Sequence, residues 1–259
     1  QLPALGYVLE LSVAGAKLCQ QLTTLPNITH YCPSSLVSFV QSADLVTLTL
    51  SSGEQISTRL LVGADGAQSV IQQQLNLPVQ QHDFSQSAVI TSLQVDGPVH
   101  SRAWERFTAH GPLALLPLGD QTYSVVWCQS PEQAAETMQL TDSDFTAKLQ
   151  QTFGFRAGRF MKNGRYLTQS THHRVVLLGN AAHQLHPVAG QGFNLAMRDV
   201  MALRDSLQDA SDPGAYAVLQ NYRQRRESDQ QRTVWLTSSL ASLFAEPAFP
   251  LVIARQTGL

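Results

Sequence analysis

The chain has 259 residues, with 43% hydrophobic, 14% charged and a formal net charge of −2. Its 16 glycines bring the apolar share to about 49%, a globular value that, with no low-complexity tract, excludes disorder. Near-balanced charge excludes a general basic surface for nucleic acid, which would need clustered Lys and Arg.

Three scattered cysteines, Cys19, Cys32 and Cys128, with no CxxC, exclude a disulfide scaffold and a zinc finger. They point to reduced thiols in a cytoplasm. No run of 18 apolar residues predicts a membrane-spanning helix. The start, Gln1-Leu2-Pro3, carries neither Met nor a secretory leader, so the chain reads as cut from something longer.

In chain order, Leu45 to Leu50 alternates apolar and polar residues, the period of a strand. Ser51 to Glu54 is a turn, and Gln55 to Val62 a second strand, making a hairpin. Gly63-Ala64-Asp65-Gly66 follows, then a helix over Ala67 to Leu75. Four short strands are expected at Ala88–Val95, Ala103–Thr108, Leu113–Leu118 and Thr122–Cys128, punctuated by Gly and Pro as in an antiparallel sheet. Pro131 to Phe153 reads as a helix with Phe145, Leu149 and Phe153 on one side.

Arg174 to Leu178 is an unbroken apolar run, the pattern of a strand buried on both faces. A glycine loop, Gly179 to Gly192, leads to a helix over Phe193 to Gln208. Its apolar face is expected at Ala196, Val200, Leu203 and Leu207, with Arg198, Asp199, Arg204 and Asp205 mostly elsewhere. Tyr216 to Phe244 supplies one or two more helices. The fold class is therefore mixed α/β: α/β material brackets an antiparallel insert.

Two loops carry the chemistry. Gly179 to Asn194 links a buried strand to a helix start, where open α/β sheets bind ligands. Gly190 and Gly192 let backbone approach a ligand, and the helix start favours an anionic atom. Asn180 can hydrogen-bond hydroxyls, and Pro187 stiffens one wall. In the other loop Asp65 is a cofactor contact or a helix cap.

Together these residues resemble the flavin-dependent aromatic hydroxylases, the para-hydroxybenzoate hydroxylase class. Asp65-Gly66-x-x-Ser69 looks like their DG motif; Gly179-Asn180-Ala181-Ala182-His183, Pro187 and Gly190-Gln191-Gly192-x-Asn194 look like their second FAD motif. Glu105 to Ala114 and Phe193 to Met201 are similar to the ubiquinone-biosynthesis branch, and within it to the 2-polyprenyl-6-methoxyphenol hydroxylases. The first FAD motif, GxGxxG, is absent. Asn180 stands where these relatives usually have Asp. Gln72 replaces the Arg that closes the DG motif, which weakens any NADPH contact there. Between Arg165 and Arg174 the resemblance implies either a shortened loop or an absent segment.

The resemblance implies a partial, Rossmann-like FAD-binding domain at 1–77 and 167–210. An antiparallel substrate domain falls at 78–166 and C-terminal helices at 211–259. It implies FAD held by Asp65, Gly66, Gly179, Asn180, Pro187, Gly190, Gln191, Gly192, Phe193 and Asn194, with NAD(P)H as reductant. It further implies oxygen transfer through a C4a-hydroperoxide to a prenylated phenol lying against Phe107, Leu113, Leu115 and Pro117. No catalytic base is evident.

Partners implied are that hydrophobic substrate, a ubiquinone-biosynthesis complex and peripheral contact with the inner membrane, with no nucleic acid. The competing readings are a flavin reductase or dehydrogenase of the same fold, and a cofactor-free assembly module. Without the first motif, this stretch alone is expected to hold FAD weakly. His183 and His186 lack a carboxylate at ligand spacing, so no metal is expected. Trp104-Glu105-Arg106 reads as substrate contact or surface strand. Arg223 to Arg226 reads as a solvated helix face, and Phe244 to Ile253 as a core edge or apolar patch.

Overall fold

The computed structural model describes residues 4, 6–95, 98–99, 101–108, 110–119, 121–152, 159–161, 164–167, 170–185 and 190–245. The chain divides into two compact units, one of residues 1–32 and 85–161, the other of 33–84 and 162–246, with short C-terminal pieces assigned to each.

The first unit holds helix α1 (Leu11–Leu22), which buries no residue, and an antiparallel sheet. The sheet comprises β6 (Ser87–Gln94), β7 (Trp104–Thr108), β8 (Gly111–Gly119), β9 (Thr122–Gln129) and β10 (Arg159–Met161), in the order β10-β6-β9-β8-β7. All four expected strands are present within two residues. Val89, Leu93, Leu113, Leu115, Tyr123, Val125 and Trp127 alternate onto one face. There they pack with Ala134, Phe145 and Leu149 of helices α3 (Pro131–Thr137) and α4 (Asp142–Thr152). Trp127 meets Phe145 edge-on, centroids 5.9 Å apart.

The expected helix over 131–153 is thus two. Ser130 Oγ accepts from Gln133 N to start α3, and Thr141 Oγ1 accepts from Asp144 N to start α4, so a second cap interrupts the apolar period. Phe153 lies outside the described residues.

The second unit begins with the hairpin sheet β1 (Leu36–Gln41), β2 (Val46–Leu50) and β3 (Gln55–Thr58). Then come β4 (Leu61–Gly63) and the short helix α2 (Val70–Gln74). The expected strand over 55–62 is split at 59–60. Here Arg174, in the left-handed region with φ 53°, donates to Arg59 O at 3.0 Å and pairs with Asp212 at 2.9 and 2.8 Å.

Strands β5 (Val79–His82), β11 (Gly164–Leu167) and β14 (His183–Gln184) make a three-stranded sheet; β12 (Thr171–His172), β13 (Val175–Leu177) and β4 make another. The pairing of β5 and β11 with β14 moves the insert's borders from the expected 78 and 166 to 85 and 161. Residues 1–32, expected with the FAD-binding part, group with the inserted sheet instead.

Strand β13 is buried on both faces, as its run of apolar residues predicts. Val175 and Leu177 join Phe39, Val46, Leu61 and Ile71; Val176 and Leu178 join Leu203, Leu219 and Tyr222. Helices α5 (Gln191–Leu207) and α6 (Tyr216–Ala245) pack together in this unit, and the stretch after Tyr216 is one helix. The apolar tail beyond Ala245 lies outside the described residues. Among the described residues, no helix is long and apolar enough to cross a membrane.

Candidate cofactor site

β4 and β13 run parallel as direct neighbours, with Leu61, Val62 and Gly63 opposite Val175, Val176 and Leu177. Leu178 N then donates to Gly63 O at 2.9 Å. Both strands therefore end at the same level, and both glycine loops leave from the same carboxyl edge. That edge is where an open α/β sheet takes its ligand. Gly63 leaves room for the core side chains beside it: a Cβ there would run into Leu177 Cδ2 and Ile71 Cδ1.

In the first loop Gly66 has φ +86°, a conformation that favours glycine. Asp65 Oδ2 accepts from Val70 N at 2.9 Å, and Ser69 Oγ from Gln72 N at 3.0 Å, so both side chains cap α2. Gln72, in the place of the motif's Arg, is buried in that helix.

In the second loop Gly179 (φ +53°) opens a 3₁₀ turn over Gly179–Ala181, with Asn180 exposed beside it. Gly190 (φ +57°) holds the cap position of α5 and brings no side chain to the first turn, where the helix dipole concentrates partial positive charge. A Cβ at Gly192 would touch none of the described residues, so packing among them does not demand a glycine there. A glycine at an open helix start is suited to an anionic group drawn close to the backbone. Phe193 and Asn194 are exposed on this turn, next to Gln191. Pro187 and His186 lie outside the described residues. Donor type, open backbone and dipole together fit the ribityl–pyrophosphate and ring-edge groups of FAD.

Behind the loop lies a polar centre that sequence reasoning missed. The buried face of α5 is Leu195, Asp199, Leu203 and Ser206, not the expected Ala196–Val200 line; Val200 is 48% exposed. The fully buried Asp199 carboxylate gathers four donors. Oδ2 accepts from Gly179 N at 3.2 Å and contacts His183 Nε2 at 2.6 Å. Oδ1 accepts from Arg226 Nε at 2.7 Å and Gln230 Nε2 at 2.9 Å.

Burial pushes the Asp199 carboxyl up, but the bonds and charge of His183, with bonds from Arg226 and Gln230, leave it below the usual carboxylate range. Arg226 also donates to Asp229, which pairs with Arg198 at 2.9 Å. So Arg226, expected on a solvated face, is 4% exposed. The legible signal was Leu195-x-x-x-Asp199-x-x-x-Leu203, a charge inside the core stripe, answered by Arg226 and Gln230 four apart. No cluster of three metal-ligating side chains occurs among the described residues.

The substrate residues named from resemblance divide between two faces of the inserted sheet. Leu113 and Leu115 point into the core against α3 and α4, because residue parity sets them with Trp127 and Val125. They hold the sheet together and leave no surface for a ligand. Pro117, half-buried, lies opposite the core residue Tyr123. Phe107 lies opposite Pro112 on the other face, with Ala114 and Val126. Trp104, Glu105 and Arg106 are exposed on β7. Cys128 is buried, and burial with the nearby Glu105 charge pushes its thiol up to about 12, which disfavours the thiolate form.

Known proteins match this chain closely. It is 36% identical over 241 residues to 3-demethoxyubiquinol 3-hydroxylase of Escherichia coli, covering 88% of this chain and 62% of that protein. It is 31% identical over 268 residues to the ubiquinone hydroxylase UbiL of Rhodospirillum rubrum, covering 98% and 62%. The chain thus spans about three-fifths of the length of these curated relatives. Among solved structures, Klebsiella pneumoniae HpxO complexed with FAD and uric acid superposes with a TM-score of 0.71 at 18% identity, covering 87% of this chain and 61% of that one, a likeness of fold. The family described as FAD binding domain matches residues 18–237, which takes in both glycine loops and the Asp199 centre, and the chain belongs to that family.

Proposed function

We propose that this chain is the flavin-site portion of a FAD-dependent monooxygenase that hydroxylates the ring of a prenylated phenol or quinol in ubiquinone biosynthesis. The observation that carries this reading is the convergence of two glycine loops on one carboxyl edge, the second ending at a helix start whose cap position is the glycine Gly190. The ubiquinone hydroxylases among the relatives support the pathway and reaction class.

Bound FAD would supply reduction by NAD(P)H and activation of dioxygen. The chain's own part is to bind, orient and shield. Gly179 and Asn180 would hold the ribityl–pyrophosphate region. The first turn of α5, Gln191 to Asn194, would present its dipole and backbone N–H groups to negative charge on the ring. Asp65 and Gly66 would shape the opposite loop. Phe107, Ala114 and Val126 give the inserted sheet an apolar face for a phenol. Such a substrate partitions into lipid, so the enzyme would work at the inner membrane's surface, alongside other proteins of the pathway.

The test is oxygen uptake and NAD(P)H oxidation by the full-length, FAD-loaded protein with a short-chain prenylated phenol. Uptake coupled to hydroxylated product is expected. NAD(P)H oxidation with another acceptor and no oxygen incorporation would replace this reading with a reductase. Failure to bind FAD at all would turn attention to an assembly module.

A further inference from the structure

The Asp199 centre lies one layer behind the cofactor loop, and none of its side chains is needed to hold the α5–α6 pair by apolar packing. Leu203, Leu219 and Tyr222 already do that with Val176 and Leu178. A buried ion pair is weak evidence for stability, since well-packed apolar residues often do as well. What this centre does is join four chain segments at one carboxylate: the Gly179 turn, β14 through His183, α5, and α6 through Arg226 and Gln230.

We propose that Asp199 is a positioning residue for the flavin loop, setting the left-handed Gly179 turn and the α5 start in register through its two-sided clamp. This rests on the FAD reading above.

Oδ2 fixes the loop side and Oδ1 the α6 side, so a shift of α6 moves the carboxylate and with it the Gly179 N–H. A Cβ at Gly179 would sit 3.2 Å from Ala196 Cβ, one turn before Asp199, so the turn lies tight against α5. The ionised carboxylate accepts on both oxygens, so Nε2 of His183 must carry its hydrogen. Nδ1 of His183 is buried with no hydrogen-bond partner among the described residues. An amide cannot replace the carboxylate: its NH2 would face either Gly179 and His183 or Arg226 and Gln230, donor against donor.

The experiment uses the full-length protein, stripped of FAD and titrated with FAD by fluorescence quenching, beside nitrogen-15 histidine spectra. In the wild type, one Nε2–H resonance should lie downfield and exchange slowly. Asp199→Asn should abolish that signature and weaken FAD binding about tenfold or more, as for a lost hydrogen bond to a charged group. Should that variant not fold, Gln230→Leu should shift the same resonance and weaken FAD by about threefold. Leu149→Ala, in the other unit, is the control: lower stability, unchanged FAD affinity of the folded fraction.

Wild-type protein that binds FAD while both clamp variants bind it equally well overturns this proposal alone. Absence of the slow-exchanging Nε2–H in the wild type does the same. Wild-type protein that binds no FAD overturns the functional reading and the proposal together.

Discussion

Each unit pins helices to a sheet, and they do so by different chemistry. In the first, Trp127, Leu113, Val125, Phe145 and Leu149 interlock as an apolar layer. In the second, an apolar cluster around Tyr222 and Leu203 lies on the same helices as a buried carboxylate carrying four donors. Apolar packing is non-directional and tolerates small repacking. A carboxylate with both oxygens engaged fixes direction as well as distance. The directional device stands where the left-handed Gly179 turn meets α5 and α6, and the non-directional one where only a sheet must be covered.

The largest expected effect breaks the polar side. Arg226→Met leaves Asp199 buried without its arginine partner and should cost about 3–5 kcal/mol of stability in urea unfolding. The double change Asp199→Leu/Arg226→Met should regain part of that loss yet leave FAD binding weak. Recovery of both together would erase the distinction between the two units.

Next, Trp127→Ala removes the centre of the apolar layer and should cost about 3–5 kcal/mol, with the FAD affinity of the folded fraction unchanged. Gly63→Ala is smaller. Its new Cβ would stand 2.4 Å from Leu177 Cδ2 and 3.0 Å from Ile71 Cδ1, side-chain atoms that can shift, so overpacking of about 1–3 kcal/mol is expected by thermal denaturation.

The smallest effect concerns pH. Hydrogen bonds from Arg174 hold the Asp212 carboxyl down to about 2. A depressed folded-state value stabilises fully above the ordinary carboxylate range, near ~4, and is lost as pH falls toward 2. Asp212→Asn should therefore flatten the acid limb of the stability curve between those values. An unchanged limb would mean that other carboxylates, such as Asp199, dominate it.

Much of this was legible in one dimension. The alternation at 45–50 and the unbroken run at 174–178 state their burial directly, since strand period and two-sided burial are local patterns. The glycine loops declared themselves because φ near +55° at Gly179 and Gly190 limits residue choice. Strand parity is legible too, but which face meets the helices is not, so the resemblance puts Leu113 and Leu115 at the substrate wall where the structure buries them in the core.

The helix break at 138–141 was hidden because Thr141 is a cap only once the chain turns there. Asp199 was misplaced because a carboxylate is expected outside unless its partners are known. Those partners lie 16, 27 and 31 residues away, brought in by α6 and β14. The sequence by itself determined the strands of the inserted sheet, the buried strand β13 and the two glycine loops, because these rest on local spacing, and its motifs carried the resemblance to the family. Only the tertiary structure decided which faces are buried and what a buried charge holds in place, because a charge can be buried only where distant segments converge to satisfy it.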